Sequence, residues 1–418
     1  MAQLSDDCFA FGGELMRAET ALAILAERIG PVAEPERAPL RLALGRILAE
    51  DLRAPRAVPP HDNAAVDGYA VFFDDLDPQG DTSLPVVGRV AAGEMLERPP
   101  RRGEAVRIFT GAPMPPGPDT VFMQEDCRRD GDRVILPPGQ KRGANRRRAG
   151  EDIALGATVL RRGQRLRPQE VGLAASLGIT ELALYRKLRV ALFSTGDELC
   201  EPGEAAGPGR IYDSNRYVLA GLLARLGFET EDLGILPDRL DSMVETLDAA
   251  ARRCDAVISS GGMSTGEEDH VRAAVERLGE IHFWRLAIRP GRPVALGRIG
   301  GTPFVGLPGN PVAVMVTFLR FARPVLLRLA GASEVEPRLY RVTAGFEAKK
   351  KIGRREWLRV KIDCDPERGP VARKFPRDGA GILTSLVEAD GLVELAEEVG
   401  QVRQGDPVPF LPFGEVDV

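Results

Sequence analysis

Residues 256–270 read Ala-Val-Ile-Ser-Ser-Gly-Gly-Met-Ser-Thr-Gly-Glu-Glu-Asp-His and join three local signals. A short apolar run with strand character leads into a glycine-rich turn with hydroxyl side chains, and three consecutive acids then open a predicted helix. Exposed N–H groups and hydroxyls can hold an oxyanion, and carboxylates beside them can hold a divalent metal ion. The alternative is a structural strand-to-helix turn with ordinary N-capping acids, and this stretch alone does not separate the two.

The surrounding sequence predicts an α/β domain over residues 187–331. Apolar runs predict strands at 188–193, 230–236, 282–288, 293–296 and 302–307, with helices at 215–226, 240–253, 270–278 and 311–329. This alternation favours a mostly parallel sheet with helices on both faces. Ligands bind beyond the carboxyl ends of such strands, so we expect the loops 194–199, 237–238, 261–269 and 308–311 to converge at one edge. That convergence favours a binding site at residues 256–270.

The segments on either side have other patterns. Helical spacing predicts N-terminal helices at 11–29 and 40–52, and a short helix at 168–177. Between about 68 and 141, five short β-type runs (69–73, 84–90, 105–109, 120–123 and 133–136) alternate with Gly and Pro turns, which predicts an inserted β-rich domain. After residue 331, short strands at 339–346, 356–362, 392–395 and 407–413 predict a small β-barrel or sandwich.

Composition excludes several classes of protein. The chain of 418 residues has a net charge of -5, and its arginine clusters are not interleaved with aromatic residues, so we expect no nucleic-acid partner. The five cysteines are widely spaced and form no CxxC pair, which argues against a disulfide framework or a zinc site. The first residues carry no signal-peptide pattern, and no stretch approaches 18 uninterrupted apolar residues. We therefore expect a cytoplasmic protein that does not bind membranes.

Charged residues near the predicted edge of the sheet indicate a metal-bridged phosphate. The candidate carboxylates are Glu198, Asp238, Glu267 or Glu268, and Asp269. Such acids suit Mg²⁺ with several waters retained, but they would repel a phosphate unless cations stand close by. The candidate cations are Arg285, Arg289 and Arg292, and the alternative for some of them is a solvated arginine at the edge of the sheet.

Three further stretches carry polar residues next to glycine or proline. Pro308-Gly309-Asn310-Pro311 starts a predicted helix, and its fixed backbone either presents N–H groups to an anion or simply places Pro at the first helical position. The hydrophobic periodicity does not indicate a function for the motifs at 65–70 and 108–113. The three histidines show no spacing to Ser or Cys that indicates a nucleophile.

Taken together and in order, these motifs resemble those of the molybdopterin molybdenumtransferases, the MoeA-type enzymes of molybdenum-cofactor synthesis related to the E domain of gephyrin. Each motif alone is weak, but their shared order spans most of the chain. The matching stretches are Val66-Asp67-Gly68-Tyr69-Ala70, Thr110-Gly111-Ala112 with Pro115 and Asp119, Gly150-Glu151-Asp152, 194–199, Ile211-Tyr212-Asp213-Ser214-Asn215, Ser260-Gly261-Gly262 through Gly266 and Asp269, Pro290-Gly291-Arg292-Pro293, and 306–311.

The resemblance implies an α/β multidomain fold with four domains. These are an elongated N-terminal domain (1–57 and 144–186), an inserted β-rich domain (58–143), a molybdopterin-binding α/β three-layer domain (187–331) and a C-terminal β-barrel domain (332–418). It also implies a homodimer with its active site between subunits. The implied reaction inserts molybdenum from molybdate into adenylylated molybdopterin and releases AMP with Mg²⁺ present. Transient contact with a molybdopterin adenylyltransferase and with molybdoenzymes is a further expectation.

Site residues are carried over at matching positions, and their roles are hypotheses. Glu198 and Asp269 would hold Mg²⁺, and Asp67 and Asp238 would position water or the metal-oxo group. Arg285 and Arg289 would neutralise oxyanion charge. Hydrogen bonds to the pterin phosphate and nucleotide would come from Gly261, Gly262, Ser264 and Asn310. The remaining family positions are Thr110, Ser260, Pro308, Gly309, Pro311, Arg359 and Ser385.

The sequence also departs from the family pattern. Arg289 and Arg292 stand where Lys is common, and Ala380 stands where Ser is common. Ala64-Ala65-Val66 replaces the usual Ser-Ala-Met. Two other functions stay open, a gephyrin-like scaffold and a paralogue that binds the adenylate without inserting metal, although no fused adenylylating domain is evident. A preference for molybdate or tungstate cannot be read from the sequence.

Overall fold

The computed structural model describes residues 15–262 and 270–416. It forms two compact units. The first unit comprises Met1–Ala49, Arg162–Arg167 and Leu182–Val418, and the second comprises Glu50–Arg161 and Pro168–Glu181. No helix within the described residues has the length and apolar character needed to cross a membrane.

A six-stranded sheet forms the centre of the first unit. Four strands run parallel, and the last two pair antiparallel at one side. The predicted mostly parallel sheet is therefore confirmed. In spatial order the strands are Glu229–Leu236, Arg189–Thr195, Ala256–Ser260, Thr302–Leu307, Pro293–Ile299 and Gly279–Arg285.

Helices cover both faces of this sheet because its central strands are apolar on both sides. Val190 and Leu192 belong to one core with Leu219 of a covering helix. The intervening Ala191 and Phe193 belong to the opposite core with Leu247. The predicted helices of this domain are confirmed as Asn215–Arg225, Leu240–Ala251, His270–Leu278 and the consecutive segments Pro311–Thr317, Phe318–Ala322 (a π-helical turn) and Arg323–Leu329.

The C-terminal strands of the first unit close into a five-stranded barrel, which confirms the predicted barrel. Closure comes from pairing of Arg355–Asp365 with both Gly369–Lys374 and Gly391–Leu395. A short strand, Ile288–Arg289, adds to the barrel beside Arg355 and Glu356. The other members are Tyr340–Ala344 and Pro407–Pro412, with a small ladder of Ala348–Lys349 and Gln401–Val402 and short helices Thr384–Val387 and Phe413–Val416.

The N-terminal part of the first unit differs from expectation over residues 40–52. The described part of the first predicted helix is confirmed as Ala18–Arg28, and Pro35–Pro39 pairs with Glu181–Tyr185. The second predicted helix is wrong, since only a 3₁₀ turn forms, at Leu40–Leu42. Gly45 adopts a φ of 75°, which interrupts helical geometry, and the N–H of Leu48 donates to the Gln164 carbonyl instead.

The second unit contains the predicted β-rich region. Its five predicted strands are confirmed within one six-stranded sheet, and the predicted helix is confirmed as Pro168–Ser176. In spatial order the sheet strands are Thr120–Met123, Gly68–Val71, Ala105–Ile108, Thr82–Val90, Arg133–Leu136 and Arg128–Asp130. Two small ladders, Leu52–Arg53 with Thr158–Leu160 and Asn63–Ala64 with Arg146–Arg147, and the 3₁₀ turns Phe73–Asp75 and Gln124–Asp126 complete the unit.

Candidate functional site

A cavity of about 590 Å³ lies at the carboxyl ends of the parallel strands in the first unit, and we call it the strand-end cavity. Three of the four predicted loops contribute to its lining, so their convergence is confirmed for these three. Asp238 is half-buried after the edge strand and is not among the described lining residues. The lining comprises Thr195, Gly196, Glu198, Leu199, Ile211, Tyr212, Asp213, Ser214, Asn215, Ser260, Gly261, Gly262, Gly291, Arg292, Pro293, Pro308, Gly309, Asn310, Pro311, Ala313 and Ala380.

The glycine turn after the Ala256–Ser260 strand fits only glycine. Gly261 and Gly262 have φ values of 87° and 65°, in the left-handed region that side chains disfavour. A Cβ atom on Gly261 would lie 2.7 Å from the Thr195 carbonyl oxygen, and one on Gly262 would lie 2.4 Å from Val271. The Gly261 N–H donates to the Leu307 carbonyl at 3.1 Å, so it is not a free donor to a phosphate as the sequence suggested.

Glu198 is held over a neighbouring turn at the mouth of the strand-end cavity. The Leu199 N–H donates to the Gly196 carbonyl, and the Ile211 N–H donates to the Glu198 carbonyl at 2.7 Å. The Glu198 carboxylate lies so close over Gly196 that a Cβ there would be 2.6 Å from its Oε2 atom. The absence of a side chain at residue 196 therefore lets this exposed carboxylate fold back beside the cavity.

Two carboxylates line the strand-end cavity, Glu198 and Asp213. Asp213 is buried and paired with Arg216, which leaves the exposed Glu198 as the carboxylate that fits Mg²⁺. Glu198 lines the cavity together with the hydroxyl side chains of Thr195 and Ser260. Mg²⁺ commonly binds one or two carboxylates and keeps several waters, with phosphate oxygens completing its shell. No group of three His, Cys, Asp or Glu residues that could hold a metal lies within residues 15–262 and 270–416. Glu198 is thus the described residue that would hold Mg²⁺.

Asn215 and Asn310 also line the strand-end cavity. Asn310 caps the helix that begins at Pro311, and its carbonyl accepts the Val314 N–H. Asn215 Nδ2 donates to the Gly309 carbonyl at 2.7 Å. Its Oδ1 atom is buried and has no hydrogen-bond partner among the described residues. Asn215 lay in a quoted motif, but sequence reasoning gave it no role.

A second cavity of about 480 Å³ adjoins the first, because Gly291, Arg292 and Ala380 line both. We call it the cationic cavity, since its wall carries seven cationic side chains and three carboxylates. The cations are Arg289, Arg292, Lys349, Lys350, Arg354, Arg359 and Lys374, and the acids are Glu347, Glu356 and Asp378. Sequence reasoning missed the lysines and Arg354, although the run Lys-Lys-Lys-Ile-Gly-Arg-Arg at 349–355 concentrates positive charge.

Arg359 is the buried cation of this cavity. Its Nε donates to Ser385 Oγ at 3.1 Å, and its Nη2 donates to the carbonyls of Arg377 and Gly379 at 3.0 and 3.3 Å. Burial lowers the pKa of Arg359, the nearby Arg289 lowers it further, and Asp378 opposes both. Within the described residues, Nη1 has no protein hydrogen bond, so it is available to an anion. Ser385 is fully buried and supports Arg359 without lining the cavity.

Asp67 and Thr110 form a hydrogen-bonded pair in the second unit. One carboxylate oxygen of Asp67 accepts both the N–H and the hydroxyl of Thr110, each at 2.8 Å. These bonds lower the pKa of Asp67, desolvation opposes them, and Arg107 adds a smaller lowering. Arg107 also donates to the Gly68 carbonyl and lies over the Tyr69 and Phe109 rings. Asp67 is thereby held as an oriented carboxylate.

The side chains of five candidate site residues lie outside the described part of the structure. Ser264 and Asp269 lie outside the described residues, and so do Glu267 and Glu268. Arg285 ends the Gly279–Arg285 strand, but its side chain is outside the described part of the structure. Arg289 lines the cationic cavity and is half exposed.

Three family models match successive parts of the chain. The MoeA N-terminal region (domain I and II) matches residues 16–178, and a probable molybdopterin binding domain matches residues 191–328. The MoeA C-terminal region (domain IV) matches residues 341–413. The third model includes Arg359 and Ser385, and the second includes the described strand-end loops.

Relatives and solved structures match over nearly the whole length. A molybdopterin molybdenumtransferase of Haemophilus influenzae is 37% identical over 96% of this chain and 100% of its own. Molybdopterin molybdenumtransferase 2 of Mycobacterium tuberculosis is 36% identical over 89% of this chain and 93% of its own. The crystal structure of the molybdopterin biosynthesis MoeA protein from Pyrococcus horikoshii aligns with a TM-score of 0.83 at 30% identity, covering 96% of this chain and 100% of that one. The chain therefore belongs to the MoeA family of molybdopterin molybdenumtransferases.

Proposed function

We propose that this protein transfers molybdenum from molybdate to adenylylated molybdopterin and releases AMP in an Mg²⁺-dependent reaction. The observation that carries the proposal is the pair of adjoining cavities, one built of glycine turns with a carboxylate and the other rich in positive charge. Their shared wall would bring an oxyanion next to a bound phosphate ester. Family membership supports the same reaction.

The cationic cavity is the proposed molybdate site. Molybdate is a tetrahedral dianion, and arginine donors suit such oxyanions because each guanidinium presents several N–H groups in a fixed plane. Arg359 Nη1 would donate one hydrogen bond, and Arg289 and Arg292 would add positive charge from more exposed positions. Burial of Arg359 strengthens its contribution, since solvent screens it less.

The strand-end cavity is the proposed site for the adenylylated pterin. When bound there, Mg²⁺ would supply Lewis-acid polarisation of the phosphate oxygens. Glu198 would hold the ion, while Asn310 and Asn215 would bind polar atoms of the ligand. The narrow glycine turn at Gly261 and Gly262 would let a phosphate approach the backbone closely. AMP release requires cleavage of the bond between the two phosphates, with a water oxygen ending on one of them.

We also propose a homodimer in which Asp67 and Thr110 of one subunit complete the site of the other. The support is that Asp67 is held as an oriented carboxylate with a lowered pKa, while neither Asp67 nor Thr110 is among the described lining residues of the two cavities. Transient contact with the adenylyltransferase that supplies the substrate follows from the same role. The widely spaced cysteines suit the reducing cytoplasm as the place of reaction.

A turnover assay tests the reaction. Purified protein is incubated with adenylylated molybdopterin, Mg²⁺ and either molybdate or tungstate, and AMP and bound metal are measured. We expect oxyanion-dependent AMP release together with metal in the product, and chelation of Mg²⁺ should stop it. Tight adenylate binding without oxyanion-dependent AMP release would contradict the transferase and support the non-catalytic paralogue.

Subunit complementation tests the shared site. Asp67→Asn and Glu198→Gln proteins should each be inactive as pure dimers. After mixing and reassociation, half of the dimers carry one intact composite site, so roughly a quarter of wild-type activity should return. No recovery in subunit-exchanged mixtures, verified by mass spectrometry of tagged chains, would show that both residues act within one subunit.

A further inference from the structure

Glu356 is a buried carboxylate in the wall of a cavity dominated by positive charge. Its side chain is only 5% exposed, and it lies on the Arg355–Asp365 strand of the barrel. An acid in this position weakens the attraction of the cavity for any anion. Neither the sequence motifs nor the proposed reaction assigns Glu356 a role.

Two arginines contact Glu356 in different ways. Oε1 accepts hydrogen bonds from Nε and Nη2 of Arg354 at 3.1 and 2.5 Å, and the Arg354 side chain is 18% exposed. Oε2 lies 3.6 Å from Nη1 of Arg289, whose side chain is 52% exposed. A separation of 3.6 Å is too long for a good hydrogen bond. Arg354 is therefore hydrogen-bonded to Glu356 through two nitrogen atoms, whereas Arg289 is attracted to Glu356 without a hydrogen bond.

This difference makes Arg289 able to exchange partners. An oxyanion in the cationic cavity would compete with Glu356 for the same guanidinium, because both Arg289 and Glu356 line that cavity. Arg354 would stay with Glu356 and keep the buried carboxylate paired, which avoids the large penalty of an unpaired buried charge. The exchange of Arg289 from Glu356 to an oxyanion therefore destabilises the barrel only slightly.

We propose that Glu356 is the internal competitor that limits oxyanion affinity, because it attracts the same guanidinium of Arg289 that an oxyanion would bind. The inference rests on the proposed assignment of the cationic cavity to molybdate and identifies an affinity-determining residue for it. A carboxylate that weakens substrate binding favours transfer over retention, because a tightly held oxyanion would leave the cavity slowly.

Oxyanion titration by calorimetry tests the inference, with molybdate as the probe at fixed ionic strength. Glu356→Gln removes the charge but keeps the size of the side chain. We expect the dissociation constant for molybdate to fall about five- to thirty-fold, the range for removing a nearby like charge at an effective dielectric constant of about 20 with partial solvent screening. If Glu356 only supports the barrel, the same change should weaken binding or leave it unchanged, and either result would overturn the inference.

Three further variants separate charge, competition and folding. Asp363→Asn is the matched control, since Asp363 lies on the same strand and pairs with Arg373 outside the cavity lining, and it should change affinity less than twofold. Glu356→Asp withdraws the carboxylate from Arg289 while keeping its charge, so it should tighten binding by a smaller factor even if Glu356→Gln folds poorly. In an Arg289→Gln background, the gain from Glu356→Gln should shrink, and a full gain there would refute competition for Arg289.

The wild-type titration separates this inference from the proposed function. Wild-type protein that binds no molybdate at all contradicts the oxyanion site itself. Wild-type protein that binds molybdate with an affinity unaffected by Glu356→Gln contradicts only the role of Glu356.

Discussion

The two adjoining cavities of the first unit are built in opposite ways. The strand-end cavity relies on backbone geometry, with glycines at positions where a Cβ would collide with Thr195 or Val271. The cationic cavity relies on side-chain charge, since seven cationic side chains, among them the buried Arg359 and the exposed Arg289, outnumber three carboxylates in its lining. Under the proposed assignment, the shape of the first cavity would select a large planar ester, whereas the charge of the second would select a small symmetric anion. Substitutions should therefore separate the two functions, most strongly at the glycine turn.

Gly261→Ala should produce the largest effect. A Cβ at this position would meet the Thr195 carbonyl oxygen at 2.7 Å, and the φ of 87° adds backbone strain of about 1–3 kcal/mol. We expect adenylylated molybdopterin to bind at least about 100-fold more weakly, which corresponds to roughly 2.7 kcal/mol, while molybdate affinity stays within about twofold. Fluorescence titration of the pterin and calorimetry with molybdate measure the two affinities.

Gly300→Ala is the control for Gly261→Ala. Gly300 has a φ of 58°, but a methyl group added there would meet no atom within 4 Å, and the residue lies outside both cavity linings. The substitution should lower the melting temperature through backbone strain and leave both affinities unchanged. Equal loss of pterin binding in both variants would attribute the effect to general destabilisation.

Arg359→Gln should selectively impair the cationic cavity. It removes a buried charge and leaves the carbonyls of Arg377 and Gly379 with a weaker donor. Molybdate should bind about 10- to 100-fold more weakly, since charged hydrogen bonds contribute about 1.5–3 kcal/mol. Pterin affinity should change little.

Two further variants test whether the loss of molybdate affinity depends on the position of Arg359 in the cavity. Ser385→Ala removes only the hydroxyl that accepts from Arg359 Nε, so the loss of molybdate affinity should be about three- to tenfold. Arg373→Gln, an exposed arginine paired with Asp363, should have no effect on molybdate affinity beyond about twofold. An equal loss in Arg373→Gln would mean that overall charge, and not the cavity, determines affinity.

Asn215→Ala should weaken pterin binding by about 5- to 30-fold, because it removes the hydrogen bond to Gly309 and a buried acceptor in the cavity. Asn215→Asp keeps the size of the side chain but adds negative charge beside the proposed phosphate, so it should weaken binding further. Retention of full affinity in both variants would remove Asn215 from the ligand contacts. Molybdate affinity serves as the internal control.

Thr110→Val tests whether the Asp67–Thr110 pair of the second unit contributes to the reaction in addition to the two cavities of the first unit. Losing the hydroxyl removes one of two bonds that lower the pKa of Asp67, so that pKa should rise towards its ordinary value. Because the pKa of Asp67 is lower in the folded protein than its ordinary value, ionised Asp67 stabilises the fold at pH values above the ordinary pKa. This stabilisation is lost as the pH falls through the folded-state pKa, and Thr110→Val reduces it. Because the proposed reaction uses Asp67 as an ionised carboxylate, the acidic limb of the rate profile should move to higher pH as the pKa of Asp67 rises.

NMR titration of Asp67 measures the shift directly, and Thr158→Val in the same unit should leave it unmoved. A loss of molybdate or pterin affinity in Thr110→Val would show that the second unit takes part in binding. The pH profile alone would then no longer isolate Asp67.

Contiguous signals predicted much of the fold and one of the two cavities. The strands around 188–193 and 302–307 and the glycine loop at 261 stand out locally, because a buried parallel strand is a short apolar run and a tight turn needs glycine. The cationic cavity was only partly predictable, since Lys349 and Lys374 reach it from separate barrel segments whose pairing no local pattern encodes. Residues 40–52 were predicted wrongly because apolar spacing carried more weight than Gly45. The hydrogen bond from the Gly261 N–H to the Leu307 carbonyl depends on the register between two strands that are distant in sequence, so no local pattern indicates it.

The wall shared by Gly291, Arg292 and Ala380 has a thermodynamic consequence. Ligands that occupy adjoining cavities are linked, so any factor by which bound pterin changes the affinity for molybdate must equal the factor by which molybdate changes the affinity for pterin. Arg292 faces both compartments, so a phosphate on one side and an oxyanion on the other would draw on the same positive charge. Measured in both directions, that single coupling free energy would report how strongly the two proposed ligands stabilise each other's binding.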